Sequence, residues 1–83
     1  MYKVYILQSI KDGKYYIGCT RNLERRFLEH NRGQTKSTKN RRPFRLVYVE
    51  FFKDKHLASK REREIKNYKG GNKFKDLVGR TSH

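Results

Sequence analysis

Tyr15-Tyr16-Ile17-Gly18 (YYIG, residues 15–18) sets two tyrosines directly before a glycine in a chain of 83 residues that carries a net charge of +14. Adjacent tyrosines suit a strand, because aromatic side chains pack well on a pleated, half-buried surface, and a glycine within a strand marks a bend or a close approach. Upstream, residues 2–7 (YKVYIL) are rich in β-branched and aromatic side chains, and Lys11-Asp12-Gly13-Lys14 supplies turn chemistry between the two stretches. Residues 2–19 therefore predict a β-hairpin with strands over 2–7 and 15–19.

Downstream, Thr20 or Asn22 can cap a helix over residues 23–31, with Gly33 placed for its left-handed C-terminal turn. Residues 31–49 contain no acidic side chain, while Arg32, Lys36, Lys39, Arg41, Arg42 and Arg45 gather around small polar residues and Pro43 as a basic loop. Residues 46–52 (LVYVEFF) alternate like a third strand, and Asp54 suits the cap of a second helix reaching to about residue 69, where Gly70-Gly71 ends it. Asn72 can cap a last short helix with Phe74, Leu77 and Val78 on one side. The order is ββαβαα in a single α+β domain over residues 1–78, with a frayed tail over 79–83.

At this size a chain buries only about 60 to 65% of its unfolded surface, so the core is modest. Apolar residues at 34% suffice for one core, and no long polar repeat argues for disorder. Twenty-two Lys and Arg against eight Asp and Glu repel one another unless a polyanion is bound, which makes nucleic acid the expected partner. A membrane surface fits poorly, since the basic residues do not lie along one long amphipathic helix, and the apolar run of residues 4–7 is too short for a signal-peptide core or a span. Cys19 is the only cysteine, which excludes an internal disulfide and a zinc cluster and suits a cytoplasmic protein.

On the first helix, Leu23 and Phe27 share a face, Arg26 and His30 fall at one edge of it, and Arg25 points nearly the opposite way at about 100° per residue. Arg25 is therefore a surface charge. Arg26 borders the core, where it either lays its stem on apolar neighbours with its head in water or serves a site. On the second helix Leu57, Ala58, Ile65 and Tyr68 define an apolar arc with Glu62 near one edge and Glu64 near the other. Spacing does not choose between these two glutamates, and either could simply pair with arginines along the helix surface.

Taken in order, Val4-Tyr5, Tyr16-Ile17-Gly18, Arg26 eight residues beyond that glycine, and a glutamate in a later helix resemble the GIY-YIG nuclease family. The resemblance covers residues 2–78. The first motif here is Lys3-Val4-Tyr5, without the Gly and Ile of the family name. KSTKNRRPF (36–44) and REREIK (61–66) look like the small stand-alone bacterial members, which are related to excision-repair and structure-specific nucleases. The family's metal ligand matches the Glu of the R-E-x-x-I-K pattern, which is Glu62, and leaves Glu64 on the surface.

The resemblance implies a small three-stranded antiparallel sheet flanked by helices, and metal-dependent hydrolysis of phosphodiester bonds in DNA, structure-selective or weakly sequence-selective, with a role in DNA repair or recombination. One Mg²⁺ or Mn²⁺ per site would be held by Glu62, a donor set that suits an ion keeping several of its waters. Arg26 would hold the scissile phosphate with its planar fork of donors. Tyr5 would act as base and Tyr16 would position the phosphate or water. A free phenol has a pKa near 10, so a base role requires neighbours that lower it. His30 would assist the phosphate, unless it is a surface histidine at the helix end. Tyr15 is expected to pack in the core or on the opposite sheet face, and Gly18 to let the backbone pass close to the site.

The six basic residues Arg32, Lys36, Lys39, Arg41, Arg42 and Arg45 would supply affinity for nucleic acid, DNA in preference to RNA. About six phosphate contacts would make binding fall with roughly the fifth power of salt concentration. The alternative is a basic nucleic-acid-binding module that does not cleave, and a third reading is an interaction domain whose protein partner targets it within a repair assembly.

Overall fold

The uninterrupted apolar run Val4, Tyr5, Ile6, Leu7 is the middle of the fold, because a strand covered on both faces needs apolar side chains at every position. In the computed structural model, which describes residues 1–36 and 38–79, these four residues are 0 or 1% exposed. They belong to β1 (Tyr2–Ser9), which lies between β2 (Tyr15–Thr20) and β3 (Phe44–Phe52) in an antiparallel sheet of order β2-β1-β3. Three helices complete the α+β fold: α1 (Leu23–Asn31), α2 (Lys55–Asn67) and α3 (Asn72–Gly79).

The two-residue period of β1 divides the core. Val4 and Ile6 point to one face, where Ala58 and Ile65 of α2 and Phe74 and Leu77 of α3 cover them. Tyr5 and Leu7 point to the other, with Phe44, Tyr16, Leu23 and Phe27. The hairpin register pairs Leu7 with Tyr16 and Tyr5 with Gly18. Tyr15 is thereby sent to the α2 and α3 face, where its ring meets Phe74 edge-on with centroids 4.9 Å apart.

Local chemistry sets the ends of the elements. Asn22, rather than Thr20, caps α1: its side chain accepts from the Arg25 amide at 3.0 Å, while Thr20 Oγ1 accepts from the Asn22 amide at 3.2 Å. Gly33 takes the left-handed conformation after α1 with φ 77°. The Asp54 carboxylate accepts from the His56 amide at 2.6 Å and caps α2.

Several expectations are corrected in detail. Helix α2 ends at Asn67, and Lys69 and Gly70 are both left-handed, with φ 50° and 74°. Gly71, not Asn72, holds the cap position of α3, since its carbonyl accepts from the Lys75 amide. Gly79, expected to begin the frayed tail, is the last residue of α3, and residues 80–83 of that tail lie outside the described residues. Leu57 is 51% exposed rather than part of the core, because α2 lies close against the sheet through the small, fully buried Ala58.

Strand β3 begins at Phe44, two residues earlier than the alternation suggests. The Asn31 side chain mimics a neighbouring strand there, accepting from the Phe44 amide at 2.6 Å and donating to its carbonyl at 3.3 Å. A short 3₁₀ turn (Lys39–Arg41) and a cis Arg42-Pro43 bond lead into it. Among the described residues no helix is long and apolar enough to cross a membrane.

Candidate active site

Tyr5 organises the face of the sheet that α1 covers. Its ring extends across Gly18 of the edge strand β2, and a β-carbon at residue 18 would collide with the Tyr5 phenol oxygen and Cζ. The glycine of the YYIG stretch is therefore required by a side chain on the neighbouring strand, more than by a bend in its own. Tyr16, two residues before Gly18, emerges on the same face with its ring centroid 6.4 Å from that of Tyr5.

Helix α1 adds Arg26 and His30 from one of its edges. The Arg26 side chain is 35% exposed, against 73% for Arg25, as the helical spacing predicts, and both pair with Glu29. Burial opposes the charge on Arg26, and its contacts with Glu29 and with the phenols of Tyr5 and Tyr16 overcome that cost and raise its pKa above the ordinary value. The guanidinium therefore interacts with both phenols.

His30 is fully buried and is not a surface residue at the helix end. Its Nε2 lies 3.2 Å from the Tyr5 hydroxyl and its Nδ1 lies 2.9 Å from Thr38 Oγ1. The Tyr16 ring stacks obliquely beside it at 4.8 Å between centroids, and Phe44 closes the other side at 6.0 Å. Burial, and after it the Arg26 charge, lowers the pKa of His30, so the ring is neutral at pH 7.

Desolvation by burial pushes the Tyr5 phenol up to about 12; Arg26 opposes this, and the charges of Tyr16 and Glu62 add to it. The shift is opposite to the one a base role requires. At pH 7 Tyr5 is a neutral phenol.

Glu62 lies on α2, across the sheet from α1, yet its charge acts on Tyr5 and on Cys19 of β2. The Glu62 charge opposes ionisation of both groups. The side chain is 21% exposed and pairs with Lys66 at 2.8 Å. Glu64, the alternative left open by spacing, is turned away and is held by Arg61 and Tyr68. Among the described residues no group of three or more His, Cys, Asp or Glu side chains could hold a metal. A lone carboxylate suits an ion such as Mg²⁺ or Mn²⁺ that takes its other ligands from water and substrate, and does not suit zinc.

The basic loop is less uniform than its composition. Arg41 lies 3.5 Å from the Asp12 carboxylate and donates to the Tyr15 carbonyl at 3.4 Å, which ties the loop to the hairpin. Arg45 is on β3 rather than in the loop and donates to Gln8 Oε1 at 2.7 and 3.1 Å. Arg32, Lys36, Lys39 and Arg42 are exposed, and the Arg42 guanidinium covers Gly33. Helical spacing gave no sign of Thr38, which is fully buried within this polar loop, and a buried threonine in a run of basic residues has no periodic signature.

The β2-β1-β3 sheet, the two tyrosines of its hairpin and the arginine at the edge of α1 make up one face of an α+β domain. The chain belongs to the GIY-YIG family: the family model described as the GIY-YIG catalytic domain matches residues 1–75. It is similar to UPF0213 protein SSP2268 of Staphylococcus saprophyticus, at 47% identity over 73 residues, covering 87% of this chain and 88% of that one. UPF0213 protein SH2523 of Staphylococcus haemolyticus is 47% identical over 78 residues, covering 93% and 94%. The solution NMR structure of UPF0213 protein BH0048 from Bacillus halodurans matches 95% of this chain and 84% of its own, with 40% identity and a TM-score of 0.59.

Proposed function

We propose that this chain is a divalent-metal-dependent nuclease that hydrolyses phosphodiester bonds in DNA, selecting structure or weakly selecting sequence, and that it serves DNA repair or recombination in the cytoplasm. The observation that supports this most directly is the joint packing of Tyr5, Tyr16, Arg26 and His30 on one sheet face, with the Glu62 charge reaching the Tyr5 phenol from the other side. Glu64 is held by Arg61 and Tyr68, whereas the Glu62 charge acts on the buried Tyr5 phenol as well as pairing with Lys66.

Glu62 would hold one Mg²⁺ or Mn²⁺, which when bound would stabilise charge on the phosphate and the leaving oxygen. Lys66 pairs with the same carboxylate. Arg26 receives the scissile phosphate and orients it for in-line attack. Tyr5, kept neutral by burial, acts through the hydrogen bonds of its hydroxyl and not as a base. Tyr16, partly exposed beside Arg26, positions the phosphate. Arg32, Lys36, Lys39 and Arg42 hold the nucleic-acid backbone, and four such contacts give a fall in binding with roughly the 3.5 power of salt concentration.

The test is cleavage of labelled single-stranded, duplex, flap and branched DNA, and of RNA, with Mg²⁺, Mn²⁺ or EDTA, wild type beside Glu62→Gln. Cutting that requires metal and vanishes in the variant supports the proposal. Salt-sensitive binding that ignores metal and yields no products overturns it in favour of a binding module.

A further inference from the structure

The buried polar chain beneath Tyr5 has a direction that its donors and acceptors dictate. The Arg26 charge acts on the Tyr5 phenol and favours a hydroxyl whose proton points away from the guanidinium. The Tyr5 proton must then go elsewhere, and His30 Nε2 at 3.2 Å is its neighbour. Nε2 is consequently bare, and in the neutral ring the proton resides on Nδ1, which donates to Thr38 Oγ1 at 2.9 Å. The other end gives the same answer independently: the Thr38 hydroxyl donates to the Thr35 carbonyl at 3.4 Å, so its oxygen is left to accept from His30.

Reversal would set the Nε2 proton against the Tyr5 oxygen and turn the Tyr5 hydroxyl proton toward the guanidinium, donor against donor. Tyr5, His30 and Thr38 are all essentially inaccessible to solvent, so water does not readily repair that mismatch.

We infer that Thr38 is a positioning residue which fixes the Nδ1-protonated tautomer of His30 and thereby presents the Tyr5 oxygen to the site as an acceptor. Nothing in this requires Tyr5 to ionise. The loop carrying Thr38 is thus part of the site's hydrogen-bond network as well as the source of its phosphate-binding charge. The inference rests on the proposed nuclease site only for its consequence in catalysis; the tautomer itself does not depend on any activity.

The experiment is ¹⁵N NMR of the His30 imidazole in the wild-type chain, Thr38→Ser and Thr38→Val. The expected result is a protonated Nδ1 and a bare, hydrogen-bonded Nε2 in wild type and Thr38→Ser, and a shift toward the Nε2-protonated form in Thr38→Val. Where the wild-type chain cleaves DNA, Thr38→Val is expected to lower kcat on the order of tenfold, as loss of an outer partner does at other sites. A wild-type ring protonated on Nε2 overturns the inference whether or not the valine variant folds, and so does an unchanged tautomer in a folded Thr38→Val. Absence of cleavage with the expected tautomer overturns the nuclease reading and leaves the positioning intact.

Discussion

Tyr5 and Gly18 face each other in the β1–β2 register, and the phenol of the first occupies the space in which any side chain of the second would stand. Tyr5 is 1% exposed, so it has no room to swing aside. Gly18→Ala is expected to destabilise the fold by about 1–3 kcal/mol, as overpacking does. Urea unfolding measures this, and a midpoint equal to wild type would show that the ring relocates at no cost.

Glu62 is shared between Lys66 and the proposed metal. Removing the lysine charge frees the carboxylate, and an i,i+4 pair of this exposure is worth about 0.3–0.5 kcal/mol. Lys66→Met should therefore lower the Mg²⁺ concentration for half-maximal cleavage by about twofold, while Glu62→Gln abolishes the metal response. A metal titration of cleavage unchanged by Lys66→Met would place the ion elsewhere.

Two buried groups shape stability at opposite ends of the pH scale. Burial raises Tyr5 from 10.0 to about 12, so the unfolded chain loses this proton first. The contribution is whole below about pH 10 and is lost as pH rises toward 12, by up to about 2–3 kcal/mol. Tyr5→Phe should flatten that alkaline decline, and phenolate absorbance should show one tyrosine fewer titrating at the alkaline end.

His30 works in the other direction. Burial and Arg26 depress its pKa below the ordinary 6.5, so the unfolded chain takes up the proton first as pH falls. Its contribution is present above pH 6.5 and is lost below that value as pH falls through the folded pKa. Denaturation midpoints compared at neutral and mildly acid pH should fall less in His30→Gln than in wild type, and equal losses would show that the ring is not held neutral.

The loop cations should separate into two kinds. Arg32→Ala or Lys36→Ala should weaken DNA binding and reduce the magnitude of the salt slope by about 1. Arg41→Ala, which breaks the contacts to Asp12 and the Tyr15 carbonyl, should lower thermal stability and leave that slope nearly unchanged. Salt titrations of binding, with melting curves of the same variants, decide this.

Local patterns in the sequence determined the hairpin, the cap at Asp54, a first-helix cap at either Thr20 or Asn22, and Arg26 rather than Arg25 at the border of the core. Each depends on a period of two or 3.6 residues or on a cap a few positions from its partner, and such relations survive without knowledge of the fold. The family pattern singled out Glu62, but its orientation depends on which edge of α2 meets the sheet.

Only the tertiary structure decided that His30 is buried, that Thr38 lies beneath it, that Arg41 and Arg45 are tied down within the chain, and that Tyr5 is held neutral. His30 must meet a strand residue 25 positions earlier and a loop residue eight positions later. The pKa of Tyr5 follows from how completely its neighbours exclude water. Burial and long-range pairing are properties of packed neighbours, which no local periodicity encodes.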